Sequence, residues 1–248
     1  MAGTAGAKVR RGVCSASMMP DDAWLAAVWE AVRGQLPAPP ASVVEVGCGP
    51  LGGLVPVLRS AGYTATGVDP AAPQGSWYCP VEFERYDMPE PADAIVACTS
   101  LHHVADLTEV TDRLAEALAP GGVLVVVEWA RERFDETTAR WCFDRLPQPG
   151  DDPGWLNQRY AQWRVSGQPW NAYLQSWAES EGLHAWRDIL RTLRARFDSG
   201  PVACGPYFFP DLAGVSDADE QAAIDRGHIQ ANRIQYAGRR RSHHEVRA

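Results

Sequence analysis

The run Val43-Val44-Glu45-Val46-Gly47-Cys48-Gly49-Pro50-Leu51-Gly52-Gly53 joins a short apolar strand, a glycine turn and a helix start. Glycines let backbone approach a ligand, and a helix start offers free N–H groups. Gly47, Gly49 and Gly52 satisfy the dinucleotide pattern G-x-G-x-x-G. Three details oppose a pyrophosphate there. Glu45 stands inside the strand, where a carboxylate must pair with a cation or with loop amides. Pro50 removes one N–H from the loop. A further acid, Asp87, suits a base edge that carries an amino group. This set fits a cofactor with a cationic amino-acid end, a ribose and an adenine, and no phosphate. Farther on, His102 and His103 follow an apolar run, and Glu128 closes another. A histidine there is either a general base or substrate orienter, or a loop tether bonded to a carbonyl. Glu128 either faces the same space or simply ends its strand.

Positioning these groups requires alternating elements. Trp24, Leu25, Val28, Trp29 and Val32 recur at helical spacing, and that helix ends near Gly34. Ser42 to Val46 reads as a strand, and Leu51 to Ala61 as a helix stopped by Gly62. Tyr63 to Val68 reads as a strand ending at Asp69, 22 residues after Gly47, room for one helix and one strand. Val81 to Tyr86 is a possible third strand, and Ala94 to Cys98 a buried fourth. Asp106 opens a helix marked by Leu107, Val110, Leu114 and Leu118, and Pro120-Gly121-Gly122 turns the chain into a fifth strand, Val123 to Val127. Apolar strands alternating with helices predict an α/β fold with a doubly wound, mostly parallel sheet.

The rhythm breaks over 130–182, which hold five of the ten tryptophans, Trp141, Trp155, Trp163, Trp170 and Trp177. This stretch reads as a helical cap inserted after the fifth strand, with the tryptophans forming cap core, an aromatic pocket wall, or both. Residues 1–40 then form an arm and a helix, 41–129 the cofactor-binding core and 183–238 the elements that complete it. Among these, Leu183, Trp186, Leu190 and Leu193 mark a helix, Ser216 caps another, and Tyr207 to Phe209 and Ile234 to Tyr236 look like late strands. Residues 239–248, with Arg239 to Arg241, read as a solvated tail.

A net charge of −8 opposes a nucleic-acid partner, which needs a cationic footprint. Six cysteines without a C-x-x-C pair support no metal site and suggest reduced thiols in a cytoplasmic protein. Met1 to Cys14 lacks the long apolar stretch of a signal peptide, and runs such as Val123 to Val127 are too short to span a membrane.

Taken together, the motifs resemble those of class I S-adenosylmethionine-dependent methyltransferases, particularly the small-molecule type with a "methyltransferase domain 11" pattern. The glycine segment looks like their first motif and Gly67-Val68-Asp69-Pro70 like the end of their second strand, whose acid holds the ribose hydroxyls. Tyr86-Asp87-Met88 resembles the loop where an acid takes the adenine amino group and the next N–H faces the ring. Thr99-Ser100-Leu101-His102-His103-Val104 resembles the fourth-strand exit beside the methionine end, and Leu118 to Leu124 the turn into the fifth strand. The resemblance covers residues 42–128 well. It implies a Rossmann-like methyltransferase fold, S-adenosylmethionine as cofactor, and Glu45, Gly47, Cys48, Gly49, Asp69, Pro70, Asp87, Met88 and Thr99 as its contacts. It also implies transfer to O, N or C of a small apolar or aromatic acceptor, with His102, His103 and Glu128 as candidate catalytic residues and a role in secondary metabolism. Two rivals stand beside it: a NAD-dependent oxidoreductase, and a non-catalytic binder of the same cofactor. The oxidoreductase lacks a Tyr-Lys relay, since Lys8 is the sole lysine.

Overall fold

The computed structural model describes residues 22–148 and 154–241. The expected arm over 1–20 and the last residues of the expected tail, 242–248, lie outside the described residues.

The chain runs α1 (Asp22–Arg33), β1 (Ser42–Val46), α2 (Val55–Ser60), β2 (Thr64–Val68), β3 (Tyr78–Cys79), β4 (Ala92–Cys98), α3 (Leu107–Ala117) and β5 (Leu118–Trp129). Helices α4 (Glu136–Phe143), α5 (Gly154–Ser166), α6 (Trp170–Ser180) and α7 (Trp186–Arg196) follow. Then come β6 (Phe197–Ser199), β7 (Ala203–Gly205), α8 (Asp217–Asp225) and β8 (Arg233–Arg240). The strands form one sheet in the order β3-β2-β1-β4-β5-β8-β6, with β7 also on β8. Strands β1 to β5 pair in parallel, and β8 runs antiparallel to β5. This is the mostly parallel α/β sheet expected from the alternation.

Successive residues of each strand feed opposite faces. Val43, Ala65, Val96, Val125 and Val127 pack in one apolar layer with α1, α2 and the aromatic residues of α4 to α6. Val44, Val46, Ile95, Ala97, Leu124 and Val126 pack in the other with α3 and α7. Asp106 caps α3 by accepting from Thr108 and Glu109 N–H groups, and Ser216 with Asp219 forms a full capping box on α8. Strand order reverses between β1 and β4, the chain building outward to β2 and β3 on one side and to β5 on the other, and in open parallel sheets that point leaves a crevice beyond the strand ends.

Three elements depart from the sequence reading. Val81 to Tyr86 is no strand: β3 is only Tyr78–Cys79, and a 3-10 turn over Phe83–Arg85 follows, with Arg85 N–H on the Glu82 carbonyl at 2.9 Å. Pro80 cannot donate to a ladder, so pairing stops before it. Tyr207 to Phe209 is no strand either. The buried Glu220 carboxylate accepts the Tyr207, Phe208 and Phe209 N–H groups at 2.7–2.9 Å, taking the donors that a ladder would use. Arg239 and Arg240 belong to β8 rather than to a solvated tail, and Arg241 pairs with Asp198 at 2.9 Å. Strands β5 and β6 offer backbone partners on both sides of β8, so pairing continues past its apolar part.

Glu45 fixes the loop after β1. It is 2% exposed, and both carboxylate oxygens accept the Leu54 N–H, at 3.0 and 2.8 Å. A Cβ on Gly53 would overlap this carboxylate, so the turn into α2 needs glycine at that position. Burial raises the Glu45 carboxyl from 4.5 to about 8, the loop amides oppose the rise, and Asp69 adds to it. The folded chain thus holds the proton more tightly than the unfolded one. This group's stabilisation is full below the unfolded value and is lost as pH climbs through the folded one. Glu45→Gln keeps an acceptor for Leu54 and cannot ionise. Its melting temperature relative to the native chain should rise between about pH 5 and about pH 8. A difference that stays flat across that range would show that Glu45 does not titrate with folding.

Candidate active site

A cavity of about 580 Å³ opens over the C-terminal ends of β1, β2, β4 and β5. This volume lies in the range of small-molecule and cofactor sites. Gly47, Cys48, Gly49, Pro50 and Leu51 form its floor on one side, with Asp69 and Pro70 beside them. Asp69 stands at the tip of β2. Its Oδ2 accepts the Gly49 N–H at 3.0 Å and its Oδ1 the Ala71 N–H at 2.7 Å, so the carboxylate is fixed at the rim. The Cys48 thiol lines the cavity too. Burial pushes it up to about 12, which keeps it protonated and unreactive.

Thr99 ends β4 with φ +49°, an uncommon conformation for a β-branched residue. The Thr99 N–H on the Val127 carbonyl at 2.7 Å, and the Ser100 hydroxyl on the Val46 carbonyl at 2.9 Å, hold this exit in place. Ser100 approaches Gly47 so closely that a Cβ on Gly47 would overlap the Ser100 Cβ.

Leu101–His103 make a 3-10 turn past β4. His102 Nδ1 lies 2.6 Å from Glu128 Oε2. The same carboxylate accepts the Leu101 N–H at 2.7 Å and the Trp129 N–H at 3.1 Å. Glu128 is 0% exposed and does not line the cavity, whereas His102 does. The His103 ring lies 4.1 Å from that of His102 and also lines the cavity. Packing around it, and the neighbouring His102, push its pKa down to about 4 against a smaller opposing pull from Glu128, so it is neutral at pH 7.

Several expected contacts fall elsewhere. Glu45 lies beneath the loop on Leu54 N–H, not on the cavity wall. Asp87 and Met88 do not line the cavity; Glu82, Phe83 and Glu84 do. The early end of β3 brings the chain to the rim several residues sooner than a strand over Val81 to Tyr86 would. Glu128 bonds the His102 ring rather than facing the space itself. Gly47, Cys48, Gly49, Asp69, Pro70, Thr99, His102 and His103 do meet around one cavity.

The opposite wall is aromatic. Trp129, Trp155 and Trp177 line it, with Trp155 at 5.2 Å and Trp177 at 6.4 Å from Trp129. Trp24 of α1 and Gln158 and Arg159 of α5 also reach it. Trp170 is instead fully buried and donates its indole N–H to the Phe134 carbonyl at 2.6 Å. The tryptophans thus divide between core and wall. Trp24 was visible only as a core-facing helix residue, and nothing in the spacing of Arg159 marked it.

The chemistry of the wall tests the cofactor. Asp69, Glu82 and Glu84 are acidic, and Arg159 is the one arginine among the cavity's described residues; no lysine lines it. This set opposes a pyrophosphate and suits a nucleoside with an ammonium group. Gly49 has open space where a Cβ would stand, as a surface in direct ligand contact requires. Gly47→Ala should cost about 1–3 kcal/mol of stability, from the overlap with Ser100 and the positive φ together. Gly49→Ala meets only the backbone term, about 1–2 kcal/mol. Denaturant titration of both should rank Gly47→Ala as the more damaged; equal losses would remove Ser100 as the reason for that glycine.

A family model described as a methyltransferase domain matches residues 23–197, more than half of the chain. No curated protein matches it in sequence. Among solved structures, it is similar to an S-adenosylmethionine-dependent methyltransferase from Mesorhizobium loti, with a TM-score of 0.53 and 19% identity over 87% of this chain and 98% of that one. The N-methyltransferase NodS from Bradyrhizobium japonicum, solved with S-adenosyl-L-homocysteine, gives a TM-score of 0.48 and 16% identity over 90% of this chain and 89% of that one. At such identities the likeness concerns the fold. Family model, sheet order and the acidic lining of the cavity agree: this chain belongs to the methyltransferase domain family and is a class I S-adenosylmethionine-dependent methyltransferase.

Proposed function

We propose that the enzyme methylates an O, N or C atom of a small, largely apolar or aromatic acceptor, with His102 as its general base. The observation that carries this reading is the buried Glu128–His102 pair, whose imidazole lines one cavity together with three tryptophans. Bound cofactor supplies a methyl group on a positively charged sulfur, which departs with the bonding pair as the acceptor atom attacks in line. The chain's own work is to hold the two reactants at near-attack distance and to exclude water, a contribution of about 7–11 kcal/mol in well-oriented systems.

Glu128 accepts the Nδ1 proton of His102, which fixes the tautomer and leaves Nε2 as the free base. An acceptor that loses a proton on methylation gives it to Nε2. The Glu128 carboxylate then stabilises the imidazolium without taking the proton. His103, with its pKa pushed down to about 4 by burial and by His102, is a poor base at pH 7. On the cofactor side, Asp69 takes the ribose hydroxyls, Gly47, Cys48, Gly49 and Pro70 surround the nucleoside, and Thr99 stands near the methionine end. Phe83 and Glu84 replace Asp87 and Met88 at the adenine edge. The net charge of −8 and the apolar wall favour a small acceptor over nucleic acid. Among the described residues no helix is long and apolar enough to cross a membrane.

Asp69→Ala should weaken binding of S-adenosylhomocysteine by about 1–3 kcal/mol, read by calorimetry on a variant whose melt shows it folded. Undiminished affinity would take Asp69 out of the site. Acceptors can be found by screening small aromatic compounds for release of S-adenosylhomocysteine. With one in hand, His102→Gln should slow kcat by about 10²-fold or more while cofactor affinity holds, and Glu128→Gln by about tenfold with a shifted acidic limb of the pH profile. A His102→Gln enzyme that turns over at the native rate would make that histidine a loop tether only.

A further inference from the structure

Helix α5 carries one cation to the cavity wall. Arg159 is 7% exposed, and its Cζ lies 4.6 Å from the ring centroid of Trp177. Trp177 packs against Trp129, whose ring meets that of His102 at 6.5 Å. The guanidinium therefore stands on the same aromatic wall as the proposed base, with two indoles between them. A buried guanidinium is ordinarily paired with a carboxylate or with carbonyls. Here Nε and Nη1 are buried without a hydrogen-bond acceptor among the described residues. Stacking on Trp177 offsets charge and satisfies none of these N–H groups. Glu181 lines the same cavity, and among the described residues it forms no ion pair with Arg159. The Trp129 indole N–H on this wall is likewise buried without an acceptor.

Unused donors on one wall point to an acceptor group on the ligand. We propose, resting on the reading that this cavity holds the methyl acceptor, that Arg159 binds a carboxylate on that acceptor, so the substrate is an aromatic carboxylic acid taken as its anion. A guanidinium presents paired N–H groups that match a carboxylate, and the indoles supply the flat apolar surface for its ring. A phosphate dianion fits poorly: among the described residues Arg159 is the sole arginine and no lysine lines a wall that also holds Asp69, Glu82, Glu84 and Glu181. The cofactor carries a carboxylate of its own. Arg159 is assigned to the acceptor because its ring contact is with α6, across the tryptophans from the glycine loop. The carboxylate at Arg159 and the nucleophile at His102 would then fix both ends of the substrate, which sets which atom is methylated.

The test uses the full chain saturated with S-adenosylhomocysteine, whose own titration is run first. If that compound does not bind, the methyltransferase reading of the cavity fails before the carboxylate question is put. Indole-3-acetate and 4-hydroxyphenylacetate are then titrated by calorimetry beside their neutral amides, at about pH 7, where the acids are ionised. Each acid should bind at least about tenfold tighter than its amide. Arg159→Gln should abolish that preference, Arg159→Lys should keep part of it, and neither should change affinity for S-adenosylhomocysteine. Arg159→Gln should also melt no lower than the native chain, because it removes a buried cation without a protein partner. Equal binding of acid and amide by the native chain overturns the proposal, as does failure of both acids to bind up to about 10 mM. A preference that survives in Arg159→Gln overturns it too. Weakened S-adenosylhomocysteine binding in Arg159→Gln would give the cation to the cofactor's carboxylate instead. Should the variants not fold, the native chain's discrimination between acid and amide decides alone.

Discussion

The carboxylate of Glu128 has no exposed surface, yet it accepts from the Leu101, His102 and Trp129 N–H groups and from the His102 ring. Both its oxygens are occupied by groups from the ends of two neighbouring strands. An ionised carboxylate out of water is tolerable only with such a set of donors. The same bonds hold the 3-10 turn after β4 against the end of β5 and orient the imidazole. A second tie comes from outside: His184 donates its backbone N–H to the His102 carbonyl at 2.9 Å, and its ring bonds the Val104 carbonyl at 2.8 Å. Losing Glu128 would therefore release the His102 ring and the loop together, which is why the geometry of the site is a property of strand ends rather than of a flexible loop.

Buried acids recur as loop organisers in this molecule. Glu45 gathers the turn into α2, and Glu220 gathers three successive amides ahead of the turn over Phe209–Asp211. Burial raises the carboxyls of both, and the amides they hold pull the other way. Each replaces a stretch of regular hydrogen bonding with a single acceptor. The chain can then change direction in its interior without orphaned N–H groups.

Short, largely apolar runs exposed β1, β2, β4 and β5, because strands buried on both faces leave a stretch rich in Val, Ile and Ala. Capping residues exposed α3 and α8. The glycine loop and Asp69 could be read because backbone conformation and strand-end acids leave local marks. Val81 to Tyr86 and Tyr207 to Phe209 were misread for one reason: their local composition suits a strand, and what decides against it lies outside them. Glu220 lies more than ten residues from the amides it takes. Glu128 showed as a candidate, and only the fold reveals that it bonds the His102 ring instead of lining the cavity. Arg159 left no mark at all, since α5 has no clean apolar face and the meaning of a buried arginine depends on what surrounds it.

The place of β8 bears on how the molecule is made. Strand β5 is flanked on one side by β4 and on the other by residues more than a hundred positions downstream, with Glu128 opposite Ile234 and Trp129 opposite Arg233. During synthesis the half of the sheet that holds the glycine loop and Asp69 can assemble while the outer edge of β5 is still bare. Its unpaired backbone then offers a template for foreign strands until β8 leaves the ribosome. The nucleoside-side groove is thus ready early, and the outer side of β5 matures last.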